Sequence, residues 1–181
     1  MPGTDMRLAM IYSAERIAEE VRRLAAEISA DYAGEDLLLV IVLQGAFIFA
    51  ADLVRQLRLP LTLDFVKLAS YSGTETTGRV VVTKDTEGAI AGKNVLIVED
   101  IVDTGLTLAF LLELLRSREP KSLRVCALID KPARRRVAVT PDYVGMVCKG
   151  GFLVGYGLDV DGKMRELPAI YEVNSPERRS E

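Results

Sequence analysis

The chain contains no histidine and only two cysteines among its 181 residues. The absence of histidine excludes a histidine general base, a histidine metal site and a serine–histidine–aspartate triad. Cys126 and Cys148 lack the spacing of metal ligands, and so few cysteines are typical of a protein whose thiols stay reduced. We therefore expect a cytoplasmic protein whose chemistry depends on other side chains.

Long apolar runs and a strong net charge are also missing. The longest apolar stretches, such as Leu37–Leu43 and Leu106–Leu112, are too short to cross a bilayer. The first ten residues lack the charged and apolar regions of a secretory signal, so none is expected. The net charge is −3, which gives no basic field for nucleic acid. The 49% of hydrophobic and 27% of charged residues are ordinary for one soluble globular domain.

The most informative stretch that is present joins a strand to a helix. Four consecutive aliphatic residues, Val95–Val98, predict a buried strand, and the apolar spacing of Leu108–Arg116 predicts a helix. Thr104–Thr107 lies at the start of that helix, where unpaired backbone N–H groups and threonine hydroxyls can bind a phosphate. A glycine in such a turn often serves backbone conformation alone.

Three carboxylates, Glu99, Asp100 and Asp103, lie within five residues at the end of the predicted strand. A single acid before a helix is more often a cap than a catalyst. Three together repel one another unless a cation or hydroxyl groups lie among them. Ligands of open α/β sheets bind at this end of the strands. We therefore interpret the stretch as a site for phosphate with sugar hydroxyls, a metal ion or a proton.

Strands and helices alternate through the middle of the chain. This order predicts an α/β fold with a mostly parallel central sheet flanked by helices. Later strands joined by short loops predict a small antiparallel appendage. One predicted helix begins after Ser13, which is expected to cap it, and two others cover Phe47–Leu57 and Leu108–Arg116. Besides the central strand, the predicted strands are Leu37–Leu43, Leu61–Ser70, Arg79–Thr83, Ser122–Ile129, Tyr143–Val147 and Phe152–Tyr156.

Two loops are further candidates for a ligand site. Gln44-Gly45 ends a predicted strand and either presents backbone N–H groups to an anion or is a plain turn. The polar loop 70–78 is either a mobile lid over a site or a solvated hairpin.

Individual side chains in the second half are also candidates. Lys131 directly follows a predicted strand, so its amine can project towards the site, whereas Arg134–Arg136 is more typical of a solvated face. Phe152 is either core or a stacking platform for a base. Asp159 follows a strand as Asp100 does, and Arg165 has no local pattern that indicates a role.

Val95–Thr107 resembles the phosphoribosyl-diphosphate (PRPP) motif of the type I phosphoribosyltransferases, in the form of their hypoxanthine-guanine branch. The resemblance covers about Ser13 to Tyr171. Further segments match the family in the same order: Leu43-Gln44-Gly45, Ser70-Tyr71, Leu128–Pro132, Phe152–Asp159 and Arg165.

The resemblance implies separate roles within the motif. Glu99 and Asp100 are implied to engage the ribose hydroxyls, directly or through Mg²⁺, and Asp103 to handle the proton at N7 of the purine. The loop implied to wrap the 5-phosphate consists of Thr104, Gly105, Leu106 and Thr107.

The outlying segments receive roles in the same way. Gln44 and Gly45 match the pyrophosphate loop, in which the family often has a non-proline cis peptide. Ser70 and Tyr71 match lid residues that close over the reacting centre. Lys131 matches the lysine that reads the purine 6-oxo group.

The remaining matches complete the implied pocket for the base and pyrophosphate. Phe152 matches the ring that stacks on the base, and the backbone of Leu153 would contact its exocyclic position 2. Asp159 matches a metal-bound acid beside the pyrophosphate and is also implied to line the base pocket. The metal ligands that the resemblance implies are therefore Glu99, Asp100 and Asp159. Arg165 matches a pyrophosphate contact.

As a whole, the resemblance implies a type I phosphoribosyltransferase fold over residues 1–181, with a small antiparallel hood formed by the N-terminal segment and roughly residues 148–181. The implied activity is purine salvage with Mg²⁺: transfer of the phosphoribosyl group from PRPP to hypoxanthine or guanine, giving IMP or GMP and pyrophosphate. A homodimer or homotetramer is implied, with neither nucleic acid nor membrane as partner.

The chain departs from the family at two places. Gln44 stands where the family usually has lysine or arginine, and Val147–Gly151 replaces an Ile-Pro-Asp sequence. These departures leave open a transferase that prefers xanthine or another base. A regulator that binds PRPP or nucleotides on the same scaffold is a further alternative.

Overall fold

The computed structural model describes residues 7–71 and 79–174, with the backbone alone at residues 70, 71, 79 and 174. Nine strands and three α-helices occur in these ranges, together with one 3-10 turn at Pro132–Arg134. Their order is β1 (Arg7–Tyr12), α1 (Ala14–Asp31), β2 (Leu37–Leu43), α2 (Phe47–Val54), β3 (Leu61–Tyr71), β4 (Arg79–Lys84), β5 (Asn94–Val102), α3 (Leu106–Arg116), β6 (Ser122–Asp130), β7 (Tyr143–Val147), β8 (Leu153–Val154) and β9 (Ile170–Asn174).

The central sheet has six strands in the order β4-β3-β2-β5-β6-β7. All of its neighbours pair in parallel except β3 and β4, which form an antiparallel hairpin at one edge. This arrangement confirms the predicted, mostly parallel sheet.

Helices cover both faces of this sheet. α1 and α2 pack on one face, where Ile17, Leu24 and Phe49 are fully buried. α3 packs on the opposite face through Leu111 and Leu115. Because both faces are buried, β2 and β5 carry continuous aliphatic runs instead of alternating ones.

A second sheet of three short antiparallel strands, in the order β1-β9-β8, forms the hood. It confirms the predicted antiparallel appendage, but its membership differs from the prediction. The short loops around Tyr143–Val147 favour the appendage, whereas this strand pairs in parallel with β6 as the edge of the central sheet, outside the residues 148–181 implied for the hood.

Two predicted elements are longer than the observed ones. The strand predicted over Phe152–Tyr156 is only Leu153–Val154, because Gly155 and Tyr156 adopt positive φ angles of 95° and 51°, which end an extended strand. The helix predicted to Leu57 ends at Val54. Among the described residues, no helix has the length and apolarity needed to cross a membrane.

Asp64 is a buried carboxylate that ties β3 to the connection after β4. It accepts hydrogen bonds from the backbone N–H groups of Phe65, Glu87 and Gly88 at 2.7, 2.8 and 3.0 Å. Burial alone would raise its pKa, but these three donors and the charge of Lys84 outweigh burial, so the pKa of Asp64 is lowered. Its charged form therefore stabilises the fold.

Replacing Asp64 with Asn should lower the free energy of unfolding by about 1–3 kcal/mol near neutral pH, because the negative charge is lost and one acceptor oxygen becomes an NH2 group that faces backbone N–H donors. A lowered pKa gives a contribution that is complete above the unfolded value, near 4, and is lost as the pH falls through the folded value. Urea unfolding over this pH range measures the effect. The difference in the free energy of unfolding between the wild type and Asp64→Asn should become smaller on acidification. Asp36→Asn, at an exposed position, should change this free energy little. A gap that does not change with pH would contradict the role of the charge.

Candidate active site

The carboxyl ends of the parallel strands bring the predicted site residues to one edge of the sheet. In the register, Ile41 of β2 lies opposite Val98 of β5, and Val102 of β5 lies opposite Asp130 of β6. The loops that follow these three strands therefore begin side by side. Such an edge is the usual place for ligands in open α/β sheets.

Glu99 and Asp100 lie half-buried at the end of β5. Burial, followed by the negative charge of Asp100, raises the pKa of Glu99 well above its ordinary value. Burial also raises the pKa of Asp100, although the N–H of Ile101 and the charge of Arg165 oppose this. Two adjacent carboxyl groups with raised pKa values would be stabilised by a cation or by hydroxyl donors.

Gly45 packs directly on the carboxylate of Asp100. A Cβ atom at Gly45 would lie 1.5 Å from Asp100 Oδ2, so a side chain at this position is excluded. The peptide between Leu43 and Gln44 is cis, as the resemblance implied. A Cβ atom at Gly157 would in turn lie 2.2 Å from the carbonyl oxygen of Gly45. Two backbones and one carboxylate thus meet without intervening side chains.

The predicted phosphate loop, residues 104–107, leads directly into α3. Gly105 has a φ of 82° and precedes the first helical residue, Leu106. No side chain caps this helix end apart from a 3.5 Å contact between the Leu106 N–H and Thr104 Oγ1. The remaining N–H groups of the first turn are therefore available to an anion.

Arg135 holds this loop in place, a role that the sequence did not indicate. Its guanidinium donates to the carbonyl oxygen of Asp103 at 2.6 Å and forms an ion pair with Asp130 at the end of β6. The Arg135 side chain is only 14% exposed. The interpretation of Arg134–Arg136 as a solvated face is therefore wrong for Arg135, and only the tertiary structure reveals its partners.

Asp103, the predicted proton acceptor, lies beside the same basic segment. Arg134 Nε donates to Asp103 Oδ1 at 2.7 Å, in an ion pair whose side chains are 55% and 38% exposed. Exposed ion pairs contribute about 0–1 kcal/mol, so a ligand can displace Arg134 from Asp103 at little cost.

Lys131 projects towards the predicted base pocket. Only 3% of Lys131 is exposed, and its Nζ donates to the carbonyl oxygen of Gly151 at 2.8 Å. Burial lowers the pKa of Lys131, whereas the charge of Asp103 acts to raise it. The next residue after Gly151, Phe152, is 37% exposed, and Leu153 begins β8. The structure thus brings Lys131 to the segment that carries Phe152.

Asp159 and Arg165 form an ion pair in the loop that approaches Gly45. Arg165 Nη2 lies 2.8 Å from Asp159 Oδ1, and the N–H of Gly162 donates to Asp159 Oδ2 at 2.7 Å. Arg165 Nη1 also donates to the carbonyl oxygen of Gly157 at 2.5 Å.

The three predicted metal ligands do not form a closed cluster. Over residues 7–71 and 79–174, no group of three or more carboxylate, cysteine or histidine side chains is arranged to hold a metal ion. Glu99 and Asp100 are adjacent, whereas Asp159 is paired with Arg165. A site with two protein carboxylates remains compatible with Mg²⁺, which commonly takes its other ligands from water and substrate phosphates.

The lid prediction falls mostly outside the described residues. The backbones of Ser70 and Tyr71 pair with those of Val80 and Arg79 in the β3–β4 hairpin. The side chains of Ser70 and Tyr71, and the whole of residues 72–78, lie outside the described residues, so the choice between lid and solvated loop stays open.

Comparison with known proteins agrees with this geometry. Residues 8–161 match the family model described as a phosphoribosyl transferase domain. The chain therefore belongs to the phosphoribosyl transferase family.

Several relatives are similar over nearly their whole length. The hypoxanthine-guanine-xanthine phosphoribosyltransferase of Tritrichomonas foetus is 41% identical, with 93% of each chain covered. A crystal structure of a hypoxanthine-guanine phosphoribosyltransferase from Bacillus anthracis has a TM-score of 0.88 and 42% identity, covering 94% of this chain and 100% of that one.

Other relatives are much longer than this chain. The bifunctional protein TilS/HprT of Listeria innocua is 42% identical over 162 residues. That match covers 89% of this chain but only 25% of the relative, so the chain spans about a quarter of that protein.

The contact of Gly45 with Asp100 provides a direct test of the site. Gly45→Ala should lower kcat/KM for PRPP by roughly 100-fold, because the new methyl group displaces a carboxylate by about an ångström or more. Steady-state kinetics measure this loss. Gly88→Ala is the matched control, since its Cβ would meet only Asp64 Oδ2 at an ordinary 3.6 Å. Equal kinetics for the Gly45 variant and the wild type would contradict the packing.

Proposed function

We propose that this chain is a purine-salvage transferase that moves the 5-phosphoribosyl group of PRPP to hypoxanthine or guanine, giving IMP or GMP and pyrophosphate. One observation carries the proposal. The carboxylate pair at the end of β5, the start of α3 and the buried Lys131 after β6 lie at one edge of the sheet, in a chain that belongs to the phosphoribosyl transferase family.

The reaction suits a site without histidine or a catalytic cysteine. N9 of the purine forms a bond to C1 of the ribose, while the bond from C1 to the pyrophosphate oxygen breaks and its electron pair leaves with pyrophosphate. Asp103 accepts the proton from N7 of the purine. No protein nucleophile is needed, so the residues act through positioning and electrostatic stabilisation.

Binding of PRPP is assigned to three segments. Residues 104–107 and the first turn of α3 hold the 5-phosphate. Glu99 and Asp100 hold the ribose hydroxyls. Gln44, Gly45 and Arg165 lie on the pyrophosphate side, where the backbone of the loop replaces the cation that Gln44 does not supply.

Mg²⁺ is the proposed cofactor, held by Glu99 and Asp100 together with substrate oxygens, and Asp159 would join only after leaving Arg165. The raised pKa values of the carboxylate pair fit a nearby cation, since the charged forms lack enough compensation within the protein. When bound, the ion neutralises the charge of the leaving pyrophosphate.

Lys131 is proposed to select 6-oxopurines. Its ammonium group is a donor that pairs with an oxo acceptor but would face the amino group of adenine. A mismatched pair of buried polar groups costs enough free energy to discriminate strongly between the two bases. Phe152 would stack on the base, and the backbone of Leu153 would contact its position 2.

Three broader features are also proposals. Residues 1–181 form one transferase domain with the hood over the base, the chain assembles as a homodimer or homotetramer, and it works in the cytoplasm. The large apolar side chains of Phe47, Leu63 and Phe65 are exposed, which is consistent with assembly, because such side chains often mark interfaces.

The function is tested by mixing the protein with PRPP, Mg²⁺ and one base at a time while pyrophosphate release is measured. Turnover is expected with hypoxanthine and guanine, and adenine should give none. Xanthine is included because the segment 147–151 departs from the family and because one similar relative carries xanthine in its name. An absence of turnover with both hypoxanthine and guanine would contradict the proposal.

Asp103→Asn should lower kcat by roughly 100- to 10,000-fold while the affinity for PRPP changes little, because the variant loses a proton acceptor and no phosphate contact. Steady-state kinetics and calorimetric binding of PRPP separate the two effects. Asp161→Asn, at an exposed position, is the control. A parallel loss of turnover and PRPP affinity would show that the assigned role is wrong.

A further inference from the structure

Glu172 of β9 lies against the turn that anchors Lys131. A Cβ atom at Gly151 would lie 2.1 Å from Glu172 Oε1 and 2.8 Å from its Cδ, so the carboxylate occupies the space that a side chain at Gly151 would fill. Gly151 also has a φ of 83°, which favours glycine. The glycine that departs from the family pattern thus admits a carboxylate.

On its other side, the Gly151 peptide contacts Lys131, which is proposed to bind the base. The carbonyl oxygen of Gly151 accepts the hydrogen bond of Lys131 Nζ at 2.8 Å. The Gly151 peptide therefore lies between the Glu172 carboxylate and the Lys131 ammonium and contacts both. Backbone pairing supports it, since Leu153 lies opposite Glu172 and the Val173 N–H donates to the carbonyl oxygen of Phe152 at 2.8 Å.

The charges around Lys131 give Glu172 a second effect. Burial lowers the pKa of Lys131 and thereby favours the neutral amine. The groups that face the ammonium are Asp103, Cys148 and Glu172, which act to raise the pKa of Lys131, and Arg134, which acts to lower it. Asp103 is the proposed acceptor of the purine proton, whereas Glu172 takes no part in that step.

Glu172 is only half-buried. A cavity of about 380 Å³ lies beside it, lined by Ile11, Leu153 and residues 148–151. The carboxylate is therefore open to this cavity and is not enclosed by protein on all sides.

We propose that Glu172 is a positioning residue for base recognition: its carboxylate fixes the Gly150–Phe152 turn so that Lys131 is directed at the 6-oxo group. The negative charge of Glu172 acts in the same direction, because it favours the ammonium form of Lys131. The proposal rests on the proposed function and deepens it, because it assigns a role to the Gly150-Gly151 departure.

Glu172→Gln tests the charge with little change of shape. KM for hypoxanthine should rise by about 3- to 10-fold while KM for PRPP stays unchanged, because only the ammonium that reads the base is affected. The alkaline limb of kcat/KM for hypoxanthine should move to lower pH by roughly 0.3 to 1 unit, since the ammonium loses a stabilising negative charge. Ionisation of hypoxanthine itself is common to both enzymes and cancels in the comparison.

Two further variants separate charge from packing. Glu172→Asp retains the charge and should restore most of the wild-type pH profile. Glu113→Gln removes a carboxylate from an exposed position on α3 and should leave the pH profile and both KM values unchanged.

A titration of the lysine side chains by NMR in the free protein gives a readout that needs no turnover. The Lys131 resonance, assigned with Lys131→Gln, should titrate at a lower pH in Glu172→Gln than in the wild type. A wild-type protein without turnover would contradict the proposed function alone, since this titration still decides the role of Glu172.

An unmoved Lys131 titration together with an unmoved alkaline limb would overturn the proposal. So would a parallel rise of both KM values with a lower melting temperature, because Glu172 would then serve only the packing of the hood.

Discussion

The contact between Gly45 and the carboxylate of Asp100 is the constraint on which the site depends. It brings the loop after β2 against the end of β5, and the carbonyl oxygen of Gly45 against Gly157. A side chain at either glycine would separate these elements. The carbonyl oxygen of Gly157 also accepts a hydrogen bond from Arg165, which forms an ion pair with Asp159. The same contact therefore helps to position Arg165 and Asp159 beside the proposed pyrophosphate.

The electrostatics of the site divide into two halves around this contact. On one side, burial raises the pKa values of Glu99 and Asp100, and the charge of Asp100 raises that of Glu99 further, which favours binding of a cation and of ribose hydroxyls. On the other side, Lys131, Arg134 and Arg135 surround Asp103 and Asp130, and donate to carbonyl and carboxylate oxygens. The first half suits the leaving pyrophosphate with its metal ion, and the second suits the neutral base and its proton.

Much of this arrangement follows from local sequence patterns. The aliphatic run Leu37–Leu43 predicted β2 with the correct bounds, and the cap predicted at Ser13 is confirmed by the Arg16 N–H that donates to its side chain. The acids and threonines at the end of β5 predicted a ligand site because parallel strand ends converge at one edge. Residue spacing alone indicated these features, whereas the separate role of each acid came from the family resemblance.

Other features depend on partners that are distant in sequence. β1 and β9 pair across more than 150 residues, and the exposed side chains of β1 leave no buried periodicity that would reveal it. In sequence, nothing distinguishes Arg135 from its basic neighbours. Only the folded chain shows its ion pair with Asp130 and its hydrogen bond to the carbonyl oxygen of Asp103. The proposed role of Glu172 likewise depends on the folded chain, because only there does β9 bring its carboxylate against Gly151.

The central claim is that one sheet edge holds the phosphate, ribose and 6-oxopurine of the same nucleotide. A crystal structure of the protein with IMP tests it most directly. The account predicts the phosphate on the backbone of residues 104–107, the ribose hydroxyls beside Glu99 and Asp100, and the 6-oxo group within hydrogen-bond distance of Lys131 Nζ. A nucleotide bound with its base away from Lys131, or with its phosphate away from the start of α3, would contradict it.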